Sequence, residues 1–97
     1  ALAIYPLDHY WRATTVGNLG ELEQRRGDLA GAERHYREAL ASHRAHYGPG
    51  HDRVATMLNR LGGVLHAQGR VDEAEVHLRE ALSIFRDRLP DGHPRLG

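Results

Sequence analysis

The sequence predicts an all-α fold, a single domain built as a solenoid segment of about two helical hairpins. Three observations predict it. The chain matches itself at an offset of 42 residues; apolar residues recur at helical spacing inside each unit; and glycine, proline and aspartate fall at corresponding places between the periodic stretches.

The longest self-match sets Gly27 to Leu40 on Gly69 to Leu82, including Gly-x-x-x-x-Ala-Glu-x-His and Arg-Glu-Ala-Leu in both copies. Leu19-Gly20 falls on Leu61-Gly62, and His51 on His93. These matches predict helices near residues 8–26, 29–47, 52–68 and 71–89. The first helix of each hairpin carries Val16, Leu19 and Leu22 in one copy and Val54, Leu58, Leu61 and Leu65 in the other. The second carries Leu29, Ala32, Tyr36, Ala39, Leu40 and Tyr47, then Val71, Ala74, Leu78, Ala81, Leu82, Phe85 and Leu89. The expected hairpin cores contain Leu19, Ala32, Tyr36, Ala39, Leu40, Leu61, Ala74, Leu78, Ala81 and Leu82.

Gly27 and Gly69 follow the last periodic residue of a first helix, where a left-handed backbone needs no β-carbon. The turns that follow are short and force antiparallel neighbours. Asp28 is placed to cap the second helix, while Asp72 and Glu73 set negative charge near the positive end of its counterpart. Between the hairpins, Tyr47-Gly48-Pro49-Gly50-His51-Asp52 ends one helix and supplies an aspartate to cap the next. Pro90-Asp91-Gly92-His93-Pro94 repeats the punctuation. Residues 1–6 therefore read as the tail of a preceding repeat, 7–48 as repeat one, 49–90 as repeat two and 91–97 as the start of a truncated third. On this reading the chain is cut from a longer array. Pro6-Leu7-Asp8-His9 is expected to be a first linker, shorter or differently built, because Ala1 and Ala39 are spaced by 38 residues.

Gly20 and Gly62 lie inside helices, at about 1 kcal/mol each relative to alanine. Close approach of the two helices of a hairpin is the expected compensation.

The spaced set Leu61-Gly62, Gly69, Ala74, Leu78 and Ala81 resembles the tetratricopeptide signature, and the 42-residue spacing with its Gly-x-x-His-Pro-like linkers resembles the kinesin-light-chain subtype. The resemblance covers roughly residues 7–97 and implies a right-handed solenoid that works as a protein-binding scaffold. Two positions depart from it: Glu23 stands where the second copy has Leu65, and His43 stands opposite Phe85.

In that family the first helices line a concave groove. Helical spacing then assigns one row to Thr14, Asn18, Glu21 and Arg25, and a second to Thr56, Asn59 or Arg60, Gly63 and His66. A carboxamide both donates and accepts, so Asn18 and Asn59 are the candidates for gripping a peptide backbone. Glu21 beside Arg25, with Arg60 across the groove, suits a ligand of mixed charge. A solvated polar face is the competing reading of the same rows. The family's lysine-rich carboxylate clamp is disfavoured, since all thirteen basic residues are arginine. The alternative function is assembly: open repeat ends bring copies together as a homo-oligomer, with Phe85 and Leu89 as the assembly face.

Thirteen basic residues balance thirteen acidic ones, which leaves no net field for nucleic acid or an anionic membrane. No apolar run approaches the roughly 20 residues of a membrane-spanning helix, and the expectation is a soluble, cytoplasmic domain. Cysteine is absent, so thiolate chemistry and disulfides are excluded. Serine occurs only at Ser42 and Ser83, and neither a nucleophile elbow nor a phosphate-binding glycine loop is present. No enzymatic activity and no cofactor are expected. Eight histidines raise the question of a metal, with His43, His46 and His51 the nearest to a ligand set. The repeat accounts for His9, His51 and His93 as linker residues and for His35 and His77 as helix residues, so no metal site is expected.

Overall fold

A computed structural model describes residues 6–88, and in them the chain forms α1 (Pro6–Arg25), α2 (Leu29–Tyr47), α3 (Asp52–Ala67) and α4 (Val71–Arg88). Among the described residues there is no strand, and no helix is long and apolar enough to cross a membrane. The principal packing runs α1 on α2, α2 on α3 and α3 on α4. This is a stack of two helical hairpins.

Both intra-hairpin turns use one device. Gly27 and Gly69 take φ of 86° and 84°. Asp28 N–H then donates to Glu23 C=O at 2.8 Å and Gly27 N–H to Gln24 C=O at 3.0 Å. Arg70 N–H to Leu65 C=O and Gly69 N–H to His66 C=O repeat the pattern, both at 2.9 Å. These paired bonds satisfy carbonyls that a helix end leaves open and reverse the chain within three residues. Asp28 caps α2 as expected, accepting from Gly31 N–H at 3.0 Å.

The two remaining helix starts differ from expectation. Residues 6–9 are the first turn of α1 rather than a linker; proline fits there because its missing N–H would have no helical partner. The cap of α3 is His51, whose Nδ1 accepts from Arg53 N–H at 3.1 Å, and Asp52 is already the first helical residue. The aspartate acts instead as negative charge in the first turn.

The core centres on α3. Val54, Leu58, Leu61, Val64 and Leu65 are fully buried there, joined by Ala32, Tyr36, Ala39 and Leu40 of α2 and Ala74, Ala81 and Ile84 of α4. Between Trp11 and Arg25 the buried residues of α1 are small ones, Ala13, Gly17 and Gly20. The two helical glycines do what their placement predicts. A β-carbon on Gly20 would stand 2.8 Å from the Tyr36 ring, and one on Gly62 would stand 2.6 Å from Leu78 Cγ. Each glycine is a notch that seats a large side chain of the partner helix.

Two expected core residues are exposed. Leu19 is 42% exposed while its counterpart Leu61 is fully buried, and Leu82 is 55% exposed while its counterpart Leu40 is 5% exposed. The reason is position in the stack. Leu61 and Leu40 lie at the α2/α3 boundary between hairpins, whereas Leu19 and Leu82 occupy the same helix faces where no described element follows. Leu78 is half-buried, and Leu22, Val71 and Phe85 are exposed. Ala1 to Tyr5, Leu89 and the segment 90–97, with the repeat tail and third repeat assigned to them, lie outside the described residues.

Candidate partner-binding groove

Successive first helices of a hairpin stack lie side by side, and α1 and α3 enclose a cleft of about 160 Å³. Its lining includes Thr14 and Asn18 from α1 and Thr56 and Arg60 from α3. Four residues of the two predicted rows therefore meet in one place. Thr56 donates its hydroxyl to Asp52 C=O at 3.1 Å, and the oxygen keeps lone pairs able to accept.

The cleft is charged at both ends. Arg60 Nη1 lies 3.6 Å from Glu21 Oε1, and Arg25 Nη2 lies 3.2 Å from Glu21 Oε2, so one carboxylate holds two guanidinium groups. Beneath them the hydroxyl of buried Tyr36 donates to Gln24 Oε1 at 2.9 Å. Burial pushes the Tyr36 phenol above its ordinary range, and the nearby Arg60 guanidinium opposes that rise. At the other end Arg53 stands over the Tyr47 ring, 5.9 Å from its centroid.

Other row members fall outside. Asn59, His66 and Arg25 are exposed and do not line the cleft. Asn59 corresponds to Gly17 in the first copy, a position one step round the helix toward the next first helix; Asn18 corresponds to Arg60. Glu21 belongs to the groove through its hold on Arg60. Gly63 faces α1, with the nearest Gln24 nitrogen 4.0 Å from where its β-carbon would be.

The sequence reading missed Ala13, Gly17, His43, Arg53 and Met57, which also line the cleft. Extending the second row back from Thr56 by three residues reaches Arg53, so helical spacing carried that signal. Gly17 was legible only with α3 in place: Met57 Sδ would sit 3.6 Å from a β-carbon there.

His43, His46 and His51 surround a ring instead of converging on a point. Tyr47 stacks on His51 at 4.2 Å between centroids, meets His46 edge-on at 4.6 Å and lies 5.7 Å from His43. No group of three side chains suited to holding a metal ion occurs among the described residues. A larger hollow of about 360 Å³ touches Trp11, Arg12, Thr15 and Val16 and shares no residue with either row.

No curated protein matches the chain. A family model for the tetratricopeptide repeat matches residues 11–87, which takes in both hairpins, both glycine notches and the cleft. With two hairpins that repeat the same turn, the same notch and the same helix pairing under a match of that extent, the chain belongs to the tetratricopeptide repeat family.

Proposed function

We propose that the α1/α3 cleft binds an extended segment of a partner protein, with Asn18 and Thr56 engaging its backbone and Arg60 and Arg53 receiving its acidic side chains. Tetratricopeptide repeats as a family mediate protein–protein interaction and are typically scaffolds without catalysis. The observation that carries the reading is the meeting of Thr14, Asn18, Thr56 and Arg60 in one cleft, with Glu21 fixing Arg60 at its rim. Glu21 makes the site one of mixed charge, and the 42-residue period supports the kinesin-light-chain-like subtype, with repeats at 7–48 and 49–90.

The test is selection from a displayed random-peptide library, followed by titration of the selected peptides. Asn18→Ala and Arg60→Ala should each weaken binding about tenfold, the scale of an interface hot spot of a little over 1 kcal/mol. Asn59→Ala should not. Peptides that bind all three variants as tightly as the parent would remove the cleft from consideration.

A second reading, self-association, is favoured by the uncovered apolar faces at Leu82 and Phe85 on α4 and at Trp11, Leu19 and Leu22 on α1. Leu89, the other residue assigned to that face, lies outside the described residues.

A further inference from the structure

The boundary between the two hairpins is a worked example of what this sequence does when it docks on itself. On the α2 side, Leu40 and His43 are buried between two arginines, Arg37 and Arg44. On the other side α3 supplies Leu58, Leu61 and Val64, and α4 supplies two carboxylates one heptad apart. Arg37 Nη2 meets Glu73 Oε2 at 2.9 Å and Arg44 Nη2 meets Glu80 Oε2 at 2.8 Å. The boundary is thus an apolar strip fenced by two ion pairs in the same register.

The 42-residue correspondence carries each half of this boundary to an outer face of the chain. The α2 half recurs on α4 as Leu82 and Phe85 between Arg79 and Arg86, all exposed. Phe85 replaces His43, so the strip is more apolar than its buried template. The α3/α4 half recurs on α1 and α2, where Val16, Leu19 and Leu22 stand for Leu58, Leu61 and Val64, and Glu38 stands for Glu80. Of the two fence carboxylates, Glu38 is retained and Gly31 stands in the place of Glu73. Arg79, the arginine that would have met it, is held within its own helix by Glu75 at 2.7 Å. Arg86 and Glu38 are exposed, and neither has an ion-pair partner among the described residues.

We propose that the chain associates head to tail, the α4 face of one copy seating on the α1 face of the next, with Arg86 of the first pairing with Glu38 of the second. This rests on the self-association reading and specifies its mode. A twofold pairing through α4 would instead leave Arg86 of both copies without the acidic partner that the head-to-tail mode supplies. A head-to-tail contact joins two different surfaces and leaves both available at the ends, so growth is open.

The experiment is sedimentation velocity from micromolar to millimolar concentration on the parent, Arg86→Glu, Glu38→Arg, the double variant and Leu82→Glu. The parent should show a mass that climbs with concentration and passes the dimer without a plateau. Each charge reversal should weaken association at least about fivefold, while the double variant, or an equimolar mixture of the two single variants, should restore it. Leu82→Glu should stay monomeric throughout with unchanged helical circular dichroism, because that side chain is outside the hairpin core. A plateau at the dimer, or association indifferent to Arg86 and Glu38, would overturn the head-to-tail mode while self-association stands. A constant mass of 10.9 kDa in the parent would overturn both.

Discussion

Glu23 on α1 and His35 on α2 lie 2.5 Å apart, Oε1 to Nδ1, and both side chains are largely buried. The corresponding pair in the second hairpin is Leu65 and His77, and there the His77 Nδ1 is buried without a hydrogen-bond partner among the described residues. A carboxylate at an apolar position of the repeat is thus answered by a histidine that both repeats carry.

Removing the acceptor should expose that dependence. Glu23→Ala leaves His35 Nδ1 without its partner, as His77 Nδ1 is, and should cost about 1 to 3 kcal/mol, whereas Glu23→Gln, which keeps an acceptor, should cost less. Urea unfolding followed by circular dichroism measures both. Equal stability of Glu23→Ala and the parent would show that the contact contributes nothing.

Glycine notches give a paired test on one helix. Gly62→Leu should destabilise by about 1 to 3 kcal/mol, since a large side chain would be driven into Leu78. Gly63→Ala, next to it but with room for a methyl group, should be neutral or stabilising by up to about 1 kcal/mol through helix propensity. Thermal melting of the two variants side by side decides whether Leu78 or chain stiffness governs the position.

At the start of α3, His51→Ala should cost about 0.5 to 2 kcal/mol, because Arg53 N–H loses its acceptor. His51→Asp should recover most of it. If the aspartate variant is as weak as the alanine variant, the stacking of His51 on Tyr47 is the larger contribution.

The boundary between hairpins should weaken in acid. Burial pushes the Glu33 carboxyl up, but hydrogen bonds from Arg37, Gln68 and Arg70 outweigh it and hold the group below its ordinary range. Bonds from Arg37 and Arg70 likewise lower Glu73. A carboxyl depressed in the folded state contributes stability that is complete above its unfolded pKa and is lost as pH falls through the folded one. The urea midpoint should therefore drop as pH falls from about 5 toward 3, and Glu33→Gln should lose stability at pH 7 and then lose less than the parent on acidification, the remaining loss coming from Glu73. A variant as acid-sensitive as the parent would place the effect elsewhere.

How far the sequence could be read follows from what each signal encodes. Gly27 and Gly69 announce a backbone conformation, and the structure puts both at positive φ. Gly20 and Gly62 announce a missing side chain, and a neighbour fills each gap. Periodicity, in contrast, reports which face of a helix is apolar and not whether anything covers it. That is why Leu40 and Leu82, identical in pattern, differ so widely in exposure. Row assignments for the groove had the same limit. Thr14, Asn18, Thr56 and Arg60 converge because α1 and α3 stand side by side, while Asn59 lies one helical step off the line. His51 was hidden for another reason: an imidazole acting as a cap acceptor is outside the usual capping set, and an aspartate beside it gave the expected signal one residue late.

The small inner face of α1 sets a condition on the cleft it walls. Between Trp11 and Arg25, Ala13, Gly17 and Gly20 let α2 and α3 come close but bury little of their own surface, and Val16 is the larger apolar side chain that α1 packs on the core there. The expected consequence is that α1 opens more readily than the central helix α3. Whatever occupies the cleft spans Asn18 and Arg60 and so joins α1 to α3 from outside. Amide hydrogens of α1 should exchange fastest in the unliganded chain and slow most when the cleft is filled, and the affinity measured for any occupant already includes the work of keeping that helix shut.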